Sequence, residues 1–242
     1  SVIVPATAGT GKVEVYSNLT VKISVQHGQN WLSLKTTQLK GDGEIDISYK
    51  DNEGFPRMAA IYLDADVRKD TIYIKQEGSI NPVLELIQQS KKVDGVNGET
   101  TSAELNTNLD FEDMEVSLLS LTDDEPDWIS DIDVVNSRLV FTVDANPHND
   151  KLRKLRITLK YIDGWNENHE AALIVTQSDG QGNVGTKMSF DYFRSQAKTT
   201  ISEEFYIEGT IISENGNPNT AMNPRIQTGS MDRTMNNRTA YI

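Results

Sequence analysis

Apolar residues in this chain recur at every second position. Lys12-Val13-Glu14-Val15-Tyr16 alternates, and so do Val21-Lys22-Ile23-Ser24-Val25, Glu44-Ile45-Asp46-Ile47-Ser48-Tyr49 and Thr71-Ile72-Tyr73-Ile74-Lys75. A period of two places the apolar side chains on one face of a half-buried strand, whereas a helix would need a period near 3.6. Turn-forming residues separate the runs: Gly9-Thr10-Gly11, His27-Gly28-Gln29-Asn30, Gly41-Asp42-Gly43 and Asp51-Asn52-Glu53-Gly54. Short strands with turns every 8–12 residues predict an all-β sandwich or barrel.

The pattern repeats. Trp31-Leu32 is followed by the alternating run 45–49, an Asn-bearing turn, Arg57 to Leu63, and a strand closing on Gln76. Trp128-Ile129 is followed by Leu139 to Val143, the turn Asn146 to Asp150, Arg153 to Leu159, and a strand closing on Gln177. Five features in one order predict two copies of one β unit. Pro82 cannot donate to a strand ladder, so a boundary is expected near Gly78 to Pro82. The expected division is 1–79, 80–178 and 179–242. In the last segment Asp179 to Asn183 reads as a linker, Met188 to Ala197 as a short helix, and Phe205 to Glu214 as a strand.

The net charge is −13, from 23 basic and 36 acidic residues. Nucleic acid and anionic membrane surfaces both call for a basic footprint, so neither is an expected partner. Residues 80–178 hold 19 acidic and 8 basic side chains and so carry −11 of that charge, as expected of units with separate surfaces. The absence of cysteine excludes disulfides and thiolate metal sites. No apolar run reaches the length of a membrane span, and no signal peptide is recognisable. Both ends fall inside strand-like runs, which reads as a piece of a longer polypeptide.

The repeated residues resemble the BACON domain, an immunoglobulin-like module of secreted and surface proteins in Bacteroidetes. Its pattern of Trp plus aliphatic, central Asn and Arg, and final Gln is matched by Trp31, Asn52, Arg57 and Gln76. In the second copy the same pattern is matched by Trp128, Asn149, Arg153 and Gln177. The resemblance covers about residues 1–178. The second copy departs from it in an enlarged acidic stretch, Asp110 to Asp133, and a longer last hairpin around Gly164. The segment after 179 is similar to the opening of an OB-like domain that often follows BACON domains. The resemblance implies two tandem immunoglobulin-like β-sandwiches plus a partial OB-like unit. It also implies a place on the outer-membrane surface, with a lipoprotein anchor outside this sequence.

Chemistry is sparse. Trp31 and Trp128, at fixed repeat positions, are expected to fill sandwich cores. Trp165 differs, because it lies in Tyr161-Ile162-Asp163-Gly164-Trp165-Asn166-Glu167-Asn168-His169 at the tip of a hairpin with little to pack against. An exposed ring beside amides and a carboxylate suits a sugar, whose apolar face stacks while its hydroxyls take polar partners. Trp165, Asp163, Asn166 and Asn168 are therefore the candidate ligand residues, with packing of Trp165 against the C-terminal unit as the other use. Asp123-Asp124-Glu125-Pro126-Asp127, with Asp131 and Asp133, offers oxygen ligands for calcium but lacks EF-hand spacing and reads as a solvated loop. His27, His148 and His169 stand alone in polar turns, so no metal site is expected. Asp70-Thr71-Ile72 matches a short acceptor pattern for O-glycosylation in Bacteroidetes. No nucleophile elbow or phosphate loop is present, and no enzyme activity or cofactor is expected. The preferred expectation is a spacer in a multidomain envelope protein whose partners are other domains of the same polypeptide. A glycan-binding module is the alternative.

Overall fold

The computed structural model describes residues 1–196 and 205–207. The first sandwich contains β1 (Val2–Val4), β2 (Gly9–Val15), β3 (Thr20–His27), β4 (Leu32–Leu34), β5 (Gln38–Lys40), β6 (Gly43–Tyr49), β7 (Arg57–Asp64) and β8 (Lys69–Gln76). One sheet runs β1-β8-β7-β3-β5 and the other β2-β6-β4. The two sheets enclose Val13, Val21, Ile23, Trp31, Ile45, Ile47, Ile61 and Ile74. These include the inward phases of the alternating runs, buried as their period requires.

The second sandwich contains β9 (Leu84–Leu86), β10 (Ser90–Val93), β11 (Glu99–Thr107), β12 (Glu115–Ser120), β13 (Ile129–Val134), β14 (Arg138–Val143), β15 (Arg153–Ile162) and β16 (Asn168–Gln177). Its sheets run β10-β16-β15-β12 and β13-β14-β11-β9 around Trp128, Leu139, Phe141, Leu155, Ile157 and Leu173. In both sandwiches the last two strands form a long antiparallel hairpin, and a short early strand adds to the last one in parallel: β1 on β8, β10 on β16. That order, with the strand pairs β2–β6 and β11–β14 in the facing sheets, is the immunoglobulin-like arrangement. Among the described residues, no strand pairing crosses from one sandwich to the other.

The connection between them is not loose. Ser79 N–H donates to Asn52 O at 3.2 Å and Ile80 N–H to Gly54 O at 3.3 Å. On the other side Val83 N–H donates to Asn108 Oδ1 at 2.8 Å, and Asn108 Nδ2 donates to Asn81 O at 2.9 Å. The bridging residues are thus hydrogen-bonded to loops of both sandwiches.

After β16, Asp179 Oδ1 accepts from the N–H groups of Gln181 and Asn183 and closes a turn. Then come β17 (Thr186–Lys187), the helix α1 (Phe190–Gln196) and β18 (Phe205–Tyr206), with β17 and β18 parallel. The short helix lies inside the expected stretch 188–197. The rest of the expected strand to Glu214, and most of the later part of the expected OB-like segment 179–242, lie outside the described residues.

Candidate functional site

Each sandwich has two ends with different chemistry. At one end Trp31 is buried, and the Arg57 guanidinium stacks 4.6 Å from its ring centroid. Arg57 Nε donates to Gln76 Oε1 at 2.8 Å, and Arg57 Nη2 donates to Lys50 O and Asp51 O. Gln76 Nε2 reaches the carbonyls of Pro5, Ala6 and Lys50. Asn52 Nδ2 donates to Phe55 O and Glu77 O. Three side chains thus pair the loose carbonyls of three chain segments, 5–6, 50–55 and 77, as buried polar groups must be paired.

The second sandwich repeats this latch. Arg153 lies 4.6 Å from the Trp128 ring, its Nε donates to Gln177 Oε1 at 2.6 Å, and its Nη2 donates to Asp144 O and Ala145 O. The amide role belongs to Asn146, whose Nδ2 donates to Lys151 O and Ser178 O. This corrects the sequence assignment to Asn149. The turn before Arg153 is two residues longer than the turn before Arg57, so the amide stands seven residues before its arginine in place of five. Burial lowers the pKa of both arginines, more weakly opposed at Arg153 by Asp124, Asp144 and Asp127.

The expected ligand residues around Trp165 lie where the two sandwiches meet. Trp165 is half-buried, and its indole N–H points at two carbonyls of the first sandwich, Gln76 O at 3.0 Å and Arg57 O at 3.2 Å. The Lys75 ammonium stands 5.3 Å from the ring centroid, and Phe55 packs on Tyr161 with ring centroids 6.2 Å apart. Gly164 is needed there, because a Cβ would sit 2.2 Å from Pro56 O. The expectation of a hairpin tip with little to pack against is therefore corrected. The neighbour is the N-terminal sandwich, not the C-terminal unit.

Asp163 builds that tip. Its Oδ1 accepts from Trp165 N–H and Glu167 N–H at 2.8 and 2.9 Å, and its Oδ2 lies 3.0 Å from His169 Nε2. Burial pushes its pKa up, but these hydrogen bonds outweigh burial, and the net direction is down. Asn166 takes φ 60, a left-handed position that asparagine tolerates. Asn166 and Asn168 are exposed, and Asn168 Nδ2 donates to Glu170. His169 sits in β16, not in a turn. In the acidic stretch Asp124 faces His148 at 2.8 Å and Lys151 at 3.7 Å. Among the described residues no group of three or more His, Asp or Glu is arranged to hold a metal.

Among the described residues, the opposite end of the first sandwich is uncovered. The β2–β3, β5–β6 and β7–β8 loops converge there: Ser17 N–H donates to Asp42 Oδ1 at 2.7 Å and Gly41 N–H to Leu19 O at 3.1 Å. Between them lies a groove of about 540 Å³ with Leu19 and Leu63 in its floor and Tyr16, Asn18, Arg68 and Asp70 on its rim. Tyr16 is 78% exposed, and its hydroxyl donates to Glu14 Oε2 at 2.8 Å, which holds the ring. The sequence reading missed Tyr16, although the signal was there. In Lys12-Val13-Glu14-Val15-Tyr16 the valines are the inward phase, so the tyrosine falls on the outward one.

Residues 20–77 match the BACON family, described as "Putative binding domain, N-terminal". The match takes in Trp31, Asn52, Arg57 and Gln76 of the first latch and the β7–β8 side of the open groove. No curated protein matches the chain. Among solved structures, a Bacteroides ovatus xyloglucanase in complex with a XXXG heptasaccharide overlaps 39% of this chain and 20% of its own, at 16% identity and TM-score 0.30. An I-band fragment of titin overlaps 78% of this chain and 67% of its own, at 10% identity and TM-score 0.29. An endo-fucoidan hydrolase from glycoside hydrolase family 107 overlaps 74% of this chain and 28% of its own, at 10% identity and TM-score 0.25.

Proposed function

We propose that this chain is a non-catalytic, carbohydrate-binding part of a multidomain protein on the cell surface, built on two BACON-type sandwiches. One observation carries the reading: the stretch that matches a binding family, residues 20–77, forms most of a complete sandwich with one open end. The recurrence of the whole latch at Trp128, Asn146, Arg153 and Gln177 supports a second copy of the same module. On this reading the units are residues 1–79 and 80–178, with the OB-like unit following. The outer-membrane surface of a Bacteroidetes cell, with a lipid anchor elsewhere in the polypeptide, is the setting proposed for it.

A spacer role is the second reading, favoured by the tight joint at Trp165. A rigid pair of sandwiches can hold a downstream domain away from a membrane whether or not it binds anything. The two readings part in one experiment. The chain is passed over an array of plant and host polysaccharides, and retention on a defined subset is expected. No retention on any glycan, with a folded protein, sinks the binding reading and leaves the spacer.

A further inference from the structure

The open end of the first sandwich and the joint end of the second are the same end of one fold. In both, the loop between the last two strands meets the loop between the second and third core strands. In the second sandwich that end is covered, since Trp165 lies against Arg57 and Gln76. In the first, no described residue of another unit lines the groove. An apolar floor therefore reaches the surface beside a tyrosine whose ring is held by Glu14 and not by packing.

We infer that this groove is the sugar-binding site, with Tyr16 as its stacking platform and an uncharged glycan as its ligand. This inference rests on the carbohydrate-binding reading and gives it a location. The volume falls within the range of about 300–1,000 Å³ typical of small-ligand sites. A pyranose ring has an apolar CH face, which suits the exposed Tyr16 ring lining the same groove as Leu19 and Leu63. Its hydroxyls both donate and accept, and the rim supplies both: Arg68 and Asn18 donate, Asp70 and Asn18 accept. The charges of the groove are close to balanced: its lining carries Arg68 and Lys69 against Asp70, and Asp64 and Asp66 lie near Lys69, so no cationic cluster is offered to a uronate or sulfate.

The test uses the full chain, with amide chemical shifts recorded as oligosaccharides are added. The probes are neutral gluco-, xylo-, manno- and galacto-oligosaccharides, with uronate and sulfated oligosaccharides beside them. Neutral sugars should shift residues 16–19 and 65–70. Tyr16→Ala should weaken that binding about tenfold or more, as truncating an aromatic anchor does. Arg68→Ala should weaken it less. Both substitutions lie on the surface, and unchanged thermal unfolding would show that the fold is intact. Binding that survives Tyr16→Ala, or shifts that map to the cleft beside Trp165 and disappear in Trp165→Ala, would overturn the location while leaving the carbohydrate reading standing. A preference for uronate or sulfated probes would overturn the ligand class. Failure of every sugar to bind the unmodified chain would overturn the parent reading and this site with it.

Discussion

The loops that close the β7–β8 and β15–β16 hairpins occupy equivalent places, and their contents differ. The first, Ala65 to Arg68, is short and turns Asp66, Val67 and Arg68 to solvent, with Val67 82% exposed. The second carries Gly164 and Trp165, and both are engaged: the glycine by close approach to Pro56 O, the indole by two carbonyls of the neighbouring sandwich. One end of one fold thus becomes a joint or an open surface according to two or three residues. The lesson is that an aromatic at a loop tip is not by itself a ligand platform. What matters is whether a neighbouring backbone offers it a hydrogen-bond acceptor.

The comparison can be broken first at the cores. Trp128 is 2% exposed and Trp31 5%, each under an arginine. Replacing either by Ala should cost roughly 3–5 kcal/mol, the larger loss falling on Trp128, as read by denaturant unfolding with probes in each sandwich. Equal unfolding midpoints for variant and parent would show that the stacked pair does not hold the end of the sandwich.

Next come the latches. Gln177→Ala leaves the buried Arg153 without its side-chain acceptor and should cost about 2–3 kcal/mol. Gln76→Ala should cost less, about 1–2 kcal/mol, because Arg57 retains access to water. A larger loss at Gln76 would reverse the ranking of the two ends.

The joint is weaker again. Trp165→Phe keeps an apolar ring but removes the N–H, and should cost about 1 kcal/mol of coupling between the sandwiches. Trp165→Ala should widen the distribution of their relative orientations, seen in small-angle scattering or residual dipolar couplings, with both cores still folded. An unchanged distribution would mean that the hydrogen-bonded stretch 79–83 alone sets the angle.

The smallest effect is in pH. The Asp163 carboxyl titrates below its ordinary value of 3.8 in the folded chain, because its hydrogen bonds outweigh its burial. A depressed folded-state pKa adds stability above the unfolded value, and that stability is lost as pH falls through the folded one. The joint should therefore loosen below about pH 4. Asp163→Asn should remove that part of the acid dependence, and an identical acid profile in the two proteins would exclude Asp163 as its source.

Much of this architecture was legible in the chain. Alternation at Val13 and Val15, at Ile45 and Ile47, and at Ile72 and Ile74 placed strands where they occur. The two tryptophans are buried as expected of fixed repeat positions. Asn146 was missed because the turn before Arg153 holds two asparagines, Asn146 and Asn149, and its length differs from that of the first turn. Counted forward from the preceding strand, both amides fall three residues after its last buried residue, Tyr49 or Val143. That spacing is preserved because the asparagine must meet the carbonyl that follows the final strand, at Glu77 or Ser178. The partner of Trp165 was not legible, because Arg57 lies 108 residues away and no local pattern encodes contact between separate cores.

The short parallel strands have a mechanical meaning. Tension along the chain pulls Val2–Val4 by its first residue and Lys69–Gln76 by its last, in opposite directions along neighbouring strands. The inter-strand bonds are then loaded together in shear and must fail as a group, whereas the bonds of a hairpin pulled from its open end would unzip one at a time. The clasp of the second sandwich, Ser90–Val93 on Ile174–Gln177, is one residue pair longer than that of the first, Val2–Val4 on Ile74–Gln76. Under tension applied to the two ends of the pair, the first sandwich is therefore expected to yield before the second and to act as the fuse.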